Sequence, residues 1–292
     1  MAKIGWIGTG VMGSSMAGHV QRAGHELYVF NRTINKAEGL IKNGARWCES
    51  PADVAANSEI VFTIVGFPND VEEVYLGEKG IFSVDGPCRI VVDMTTSRPS
   101  LAQEIARKAS EHKIDSLDAP VSGGDIGARD GVLAIMVGGK KKTFDKVRPY
   151  FQIMGRKISY MGGPGTGQHA KICNQILVAG TMIGVCESLL YAERLGLNQQ
   201  TIIDIVGSGA AASWSINNLG PRIVRGDFDT GFSVNHFIKD MGIALDEAAA
   251  AGLSLPGLAL VHQLYLAVKA QGYGHSTTQA LFLALKTLNG EK

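Results

Sequence analysis

Apolar and polar positions follow two regimes along this chain. In the first, short apolar runs recur between segments with helical spacing: Lys3-Ile4-Gly5-Trp6-Ile7, Glu26 to Phe30, Ile60 to Val65, Val91-Val92-Asp93 and Ile114 to Asp118 each read as a buried strand. Met12, Met16 and Val20 repeat at intervals of four and predict a helix over 11–23, with Gly24 as its stop. A second helix is predicted over 36–43, ended by Gly44. Ser50-Pro51-Ala52-Asp53 opens a third with a capping hydroxyl, a proline in the first turn and an acidic residue behind it. A further helix is expected over 99–112, opened by Ser97. Strands alternating with helices predict an α/β, doubly wound parallel sheet.

The second regime begins near residue 162, where Gly162-Gly163-Pro164-Gly165-Thr166-Gly167 gives way to a long helical pattern through Arg194, closed by Gly196. Only helices are expected beyond it, over 199–208, 215–225 with Pro221 inside, 237–251, 256–271 and 277–288. The expected division is 1–163 α/β and 164–292 all-α, joined by a helix from about 167 to 194. No internal repeat or low-complexity tract interrupts this pattern.

Composition narrows the function classes. Two domains fit 292 residues that are 45% hydrophobic. A net charge of +1 lacks the basic footprint of a nucleic-acid binder, and the run Gly139-Lys140-Lys141-Lys142 reads as a solvated strand-to-helix turn. The four cysteines Cys48, Cys88, Cys173 and Cys186 have no C-x-x-C spacing, which suits reduced thiols and offers no metal site. The N-terminal segment has no export-signal pattern, so the expected compartment is the cytoplasm. The apolar stretch 172–190 is interrupted by Asn174, Gln175 and Glu187 and reads as a buried helix, not a membrane span.

Candidate chemistry starts at the first strand, which runs into Gly8-Thr9-Gly10-Val11-Met12-Gly13 and then a helix. G-x-G-x-x-G in that context is a dinucleotide site: Gly8 permits the turn, Gly10 admits a pyrophosphate, and Gly13 lets the helix pack on the strand. The helix N-terminus beginning Val11-Met12 offers free N–H donors. At the end of the second strand, where an acidic residue would hold the ribose of NAD, the chain has Asn31-Arg32-Thr33. A guanidinium and a hydroxyl there can receive a 2′-phosphate, which favours NADP; the alternative is NAD, with Asn31 on its ribose and Arg32 merely exposed. Val65, Thr95 and Thr96 stand at strand ends, where a doubly wound sheet would place a nicotinamide.

Lys171 lies one turn into an otherwise apolar helix, just after a glycine-rich loop. Partial desolvation there would favour its neutral form and equip it to exchange a proton with a substrate oxygen. Asn174, three residues on, shares its helical face and can hold the reacting hydroxyl or orient the ammonium. His169 is out of phase with Lys171 and reads as a core or surface residue. Ser122-Gly123-Gly124 follows a strand end, where successive glycines turn backbone N–H groups toward an anion, a clamp for a substrate carboxylate. An adjacent Lys239-Asp240 on a helix is, taken alone, an ordinary solvated pair.

These segments together carry a resemblance. Asp118-Ala119-Pro120-Val121-Ser122-Gly123-Gly124 with Gly127-Ala128 and Gly131, then Gly165-x-Gly167-x-x-x-Lys171-x-x-Asn174, and finally Lys239-Asp240 resemble the β-hydroxyacid dehydrogenase family over essentially the whole chain. His169 to Gln175 and His236-Phe237-Ile238-Lys239-Asp240 are most similar to its bacterial 3-hydroxyisobutyrate dehydrogenases. The resemblance implies a Rossmann-type domain followed by a helical one, with hydride transfer between NAD(P) and a small hydroxy acid or semialdehyde bound between the domains. It implies Lys171 as proton donor, Ser122, Gly123 and Gly124 on the substrate, Lys239 on substrate or cofactor charge, Asp240 beside a cation, and a homodimer or homotetramer. Gln175 departs from the second asparagine common in the family: its longer side chain keeps the amide but not the reach, so it is not taken as catalytic, with an ordinary polar helix residue as the other reading. Succinic semialdehyde, glyoxylate and tartronate semialdehyde are alternative substrates. A cofactor-binding scaffold without turnover and imine reduction both fit the retained Lys171 less well, and the all-α portion is short for a phosphogluconate dehydrogenase.

Overall fold

The computed structural model describes residues 1–229 and 231–291. It divides into two compact units, Met1–Lys171 and Ile172–Lys292. The division falls eight residues beyond the expected 163/164, because the first turns of the long helix pack with the sheet-bearing unit.

In the first unit β1 (Lys3–Ile7) leads through α1 (Val11–Arg22) to β2 (Glu26–Phe30), then α2 (Glu38–Lys42), β3 (Arg46–Trp47), α3 (Pro51–Asn57) and β4 (Ile60–Thr63). The chain continues through α4 (Pro68–Leu76), β5 (Ile90–Asp93), α5 (Pro99–Glu111) and β6 (Asp115–Asp118). It closes with β7 (Val121–Ser122), α6 (Gly124–Asp130), β8 (Leu133–Gly139), α7 (Lys141–Met154) and β9 (Gly155–Gly162). The sheet order is β3-β2-β1-β4-β5-β6-β8-β7, with β9 also on β8. The period of two sorts the strands: Ile4, Trp6, Val29, Phe62 and Val92 pack on one face with Met16 and Val20 of α1 and Phe144 and Phe151 of α7. Ile7, Tyr28, Val61 and Val91 pack on the other with Val54, Val71, Tyr75, Leu101 and Ile105 of α3, α4 and α5. Helices on both faces make the sheet doubly wound, as expected.

The expected parallel, doubly wound sheet is observed from β3 to β6, with antiparallel pairing added at its other edge. β8 runs antiparallel to β6 and β7, while β9 returns parallel to β8. Ser50 caps α3 as expected, accepting from Asp53 N at 3.1 Å. Ser97 does not cap α5: the capping position is Arg98 and makes no side-chain bond.

The long helix α8 runs Thr166–Arg194, and its outer turns belong to the second unit together with α9 (Gln199–Val206), α10 (Trp214–Asn218), α11 (Gly220–Val224), α12 (Val234–Ala250), α13 (Pro256–Val268) and α14 (Leu281–Leu288). The expected helix over 215–225 is two, because Pro221 sits in the first turn of α11, where its missing N–H costs nothing. Ala179, Met182, Cys186 and Leu189 of α8 join Phe237, Met241, Val261, Tyr265 and Leu281 in one core. That core accounts for a helix long and apolar enough to cross a bilayer.

Candidate active site

The glycine loop divides its steric demands as its spacing suggests. A Cβ on Gly8 would stand 2.1 Å from Ile64 O and one on Gly13 2.0 Å from Gly8 O, so both must be glycine for internal reasons, and Gly8 also has φ +96°. A Cβ on Gly10 would meet nothing within 4 Å, so the space there is open to a ligand. Gly10 is the capping residue of α1, no side chain caps that helix and its first turn carries no acid, while Val11 is 60% exposed. The open cradle and uncapped N–H groups of Val11, Met12 and Gly13 fit a pyrophosphate.

Asn31, at the end of β2, braces this loop: its Oδ1 accepts from Thr9 N at 3.1 Å and its Nδ2 donates to Thr33 O at 2.9 Å. The amide expected on a ribose therefore holds backbone. Arg32 lies outward, its side chain 79% exposed, and donates to Asp70 Oδ1 at 2.8 Å. Asp70 stands in the first turn of α4, where its Oδ2 accepts from Phe67 N at 3.0 Å.

The ends of β4 and β5 are tied by a buried polar chain. Tyr75 and Thr63 share a hydroxyl contact of 3.0 Å, Thr63 Oγ1 donates to Asp93 Oδ1 at 2.9 Å, and the same oxygen accepts from Thr95 N at 3.0 Å. Thr95 Oγ1 in turn accepts from Val65 N at 3.0 Å, so the two expected nicotinamide-side residues are neighbours. Burial pushes Asp93 up to about 6, against the opposing hydrogen bonds from Thr95 and Thr63.

Lys171 is 8% exposed, as the apolar sequence around it required. Its place is set by two residues to which the sequence reading gave no role. Asp118, at the end of β6, accepts from Gly165 N at 2.8 Å through Oδ1 and from Gln168 N at 2.9 Å through Oδ2, and so caps the start of α8. The glycines around it are the ones the carboxylate needs: a Cβ on Gly138 would approach its Oδ1 to 2.4 Å and one on Gly167 its Oδ2 to 2.8 Å. Burial raises the Asp118 carboxyl above its ordinary value despite these donors. Gln168, 1% exposed, then accepts from Ser97 N at 2.9 Å and donates to Thr95 O at 2.8 Å. Lys171 is one turn further along a helix thus fastened to the strand end carrying Thr95. An acidic residue ending a buried strand was the available signal, since a carboxylate there requires donors.

Ser122 ends β7, and Gly123 and Gly124 follow at φ +131° and +64°, both in the region glycine favours. Two such residues in succession turn the chain into α6.

In the second unit, Asn174 Nδ2 donates to Gln175 Oε1 at 2.7 Å, Gln175 Nε2 donates to Asp240 Oδ2 at 2.6 Å, and Lys239 Nζ lies 2.9 Å from Asp240 Oδ1. Gln175 and Asp240 are each 2% exposed. Lys239-Asp240 is thus a buried ion pair, and Gln175, not taken as catalytic from sequence, is the link from it to Asn174. His169 is exposed and outside this chain of contacts. Among the described residues no cluster of His, Cys, Asp and Glu could hold a metal ion.

Residues 3–162 match the family model of the NAD binding domain of 6-phosphogluconate dehydrogenase, and residues 165–285 match that of NAD-binding of NADP-dependent 3-hydroxyisobutyrate dehydrogenase. A mitochondrial 3-hydroxyisobutyrate dehydrogenase-like protein 1 of Arabidopsis thaliana is 54% identical, over 98% of this chain and 86% of its own. The 2-hydroxy-3-oxopropionate reductase of Escherichia coli is 38% identical, over 99% of each chain. Among solved structures, a Mycobacterium tuberculosis 3-hydroxyisobutyrate dehydrogenase with L-serine superposes with a TM-score of 0.85 at 29% identity, covering 98% of this chain and 99% of that one.

Proposed function

The chain belongs to the β-hydroxyacid dehydrogenase family, and on that premise we propose that this NAD(P)-dependent enzyme interconverts 3-hydroxyisobutyrate and its semialdehyde with NADP(H) as preferred cofactor. The observation that carries the reading is Lys171, buried and fixed one turn beyond a helix start that Asp118 and Gln168 fasten to the strand end of Thr95.

With the glycine loop holding its pyrophosphate, a reduced nicotinamide dinucleotide would supply the hydride that the aldehyde carbon receives. The remaining work falls to this chain. As the carbonyl π pair withdraws onto oxygen, that oxygen takes a proton from Lys171 Nζ; in the reverse direction the neutral amine removes it. Asn174, on the Lys171 face of α8, orients the reacting oxygen. Ser122 Oγ and the N–H groups of Gly123 and Gly124 hold the substrate carboxylate. Arg32 and Thr33, beyond a strand end without a carboxylate, support NADP over NAD, because the position after β2 that would carry an acid on the ribose is the neutral Asn31. Similarity at 54% identity to a 3-hydroxyisobutyrate dehydrogenase-like protein supports methylmalonate semialdehyde as the substrate, and the 38% identity to a 2-hydroxy-3-oxopropionate reductase supports tartronate semialdehyde as the second reading. Four thiols outside any disulfide suit a reducing compartment such as the cytoplasm. The exposed apolar side chains Leu177, Tyr191 and Leu195 along and just beyond α8 support self-association as a dimer or tetramer.

Initial rates of NADPH and NADH oxidation with methylmalonate, succinic and tartronate semialdehydes and glyoxylate test the reading. Methylmalonate semialdehyde should give the highest kcat/KM with NADPH, and Lys171→Ala should lower kcat by about 100-fold or more while still binding cofactor. A Lys171→Ala enzyme of near-normal kcat would remove the proton donor from the reading.

A further inference from the structure

The chain of contacts from Lys239 to Asn174 has a direction, and that direction fixes what Asn174 offers to a substrate. A carboxylate only accepts hydrogen bonds and an ammonium only donates them, whereas each side-chain amide can present either end. Asp240 Oδ1 faces Lys239 Nζ at 2.9 Å, and its Oδ2 faces Gln175 at 2.6 Å. Gln175 must therefore turn its NH2 toward Asp240, which leaves Oε1 as the end that meets Asn174 at 2.7 Å. Asn174 must in turn use Nδ2 on Gln175. Its Oδ1 is then the atom left to act in the site, an acceptor for a substrate hydroxyl or for the Lys171 ammonium. With Gln175 and Asp240 each 2% exposed, water is a poor alternative partner, so a reversed amide would leave buried groups mismatched.

We propose that Asp240 and Gln175 are positioning residues that fix the polarity of the Asn174 side chain, holding its Oδ1 as a hydrogen-bond acceptor for the Lys171 ammonium that protonates the reacting oxygen. This rests on the assignment of Lys171 as proton donor with Asn174 beside it. The Asp240 side chain is 1% exposed and acts only through its neighbours. Gln175 is thus more than a longer version of an asparagine. Its single amide, accepting at Oε1 and donating at Nε2, transmits the sense of the Lys239–Asp240 pair across one further side chain.

The polarity of this chain of contacts should be reversible and repairable by substitution. In Asp240→Asn, the Lys239 ammonium still requires an oxygen, so the new amide turns its NH2 to Gln175. Gln175 then offers Oε1 to position 240 and Nε2 to Asn174, and Asn174 is forced to present NH2 toward the Lys171 ammonium, donor against donor. In Gln175→Glu, two carboxylates oppose each other across a contact of 2.6 Å in the native protein. In the double variant the amide at position 240 donates to the carboxylate at 175, whose other oxygen accepts from Asn174, and the native polarity returns with the native net charge.

The test is kcat, KM and NADPH affinity, the last by nucleotide fluorescence, for the wild type, both single variants, the double variant and Asn174→Ala, each checked for a native circular-dichroism spectrum. Expected are losses in kcat of about 10- to 100-fold in each single variant and recovery to within about threefold of wild type in the double, with NADPH affinity unchanged throughout. A folded double variant no faster than the slower single would overturn the proposal. Singles that lower thermal stability but leave kcat intact would reduce the chain to a structural role and overturn it equally. Full kcat in Asn174→Ala would instead remove the assignment on which the proposal stands.

Discussion

Arg32 shows how one residue can be read correctly from sequence and still be incompletely understood. Asn31-Arg32-Thr33 announced a cationic strand end, but not that the guanidinium would lie 2.8 Å from the carboxylate of Asp70, 38 positions away. At 79% exposure this pair contributes little to stability. Its effect falls on cofactor choice. A 2′-phosphate and the Asp70 carboxylate compete for one set of guanidinium donors, and as like charges they repel. Asp70→Asn keeps an oxygen for Phe67 N and removes the competitor. It should tighten NADPH by about 3- to 10-fold at low salt with little change for NADH, a difference that shrinks as salt screens the site. Titration calorimetry at two salt concentrations measures both. Weaker NADPH binding in this variant would show that Asp70 instead holds Arg32 in place for the phosphate.

At the scale of elements, the sequence was legible where one pattern ran unbroken and illegible where pairing was irregular. The strands of the parallel portion were visible because Ile4 to Ile7, Val61-Phe62 and Val91-Val92 are buried on both faces and read as continuous apolar runs. β9 was missed because Arg156, Lys157 and Tyr160 put exposed side chains along it, so that it reads as a loop. β7 spans two residues, too short for any periodicity to register. The same limit hid part of the site. Lys171 and the glycines sit in local motifs, but Asp118 reaches backbone 47 and 50 positions away and Gln168 reaches Thr95 and Ser97, which no spacing rule connects. The start of α8 is therefore a long-range device. Gln168→Leu would leave Thr95 O and Ser97 N buried without their partner, and should cost about 2 kcal/mol or more in denaturant unfolding. Because Lys171 follows one turn later, kcat should fall about tenfold or more while NADPH affinity holds. Unchanged kcat in a measurably destabilised variant would separate the clamp from catalysis.

For the molecule as a whole, the polar chain that joins the ends of β4 and β5 has a cost that pH reveals. Asp93 is 4% exposed, and burial lifts its carboxyl to about 6 from an unfolded value near 4. Between those values the folded state binds more protons than the unfolded one, so stability falls as pH rises through this window. The contribution is fully present below about pH 4 and lost above about pH 6, and a shift of about two units corresponds to about 3 kcal/mol. Glu291 and Asp115 run the other way: hydrogen bonds from Lys286 lower Glu291, and donors from Lys140 and Thr143 lower Asp115 against its own desolvation. Their contributions are present above their unfolded values and fade as pH drops, and Glu291, at the surface, contributes little. Asp93→Asn separates the two trends, since an amide oxygen still accepts from Thr63 Oγ1 and Thr95 N but cannot ionise. Its unfolding free energy should be flat from pH 4 to 6 where the wild type declines, and at pH 8 the variant should be the more stable protein. Denaturant unfolding across that range decides the matter. A wild type that gains stability from pH 4 to 6 while the variant does not would mean that Asp93 ionises readily in the fold, and that the Thr63 and Thr95 donors outweigh its burial.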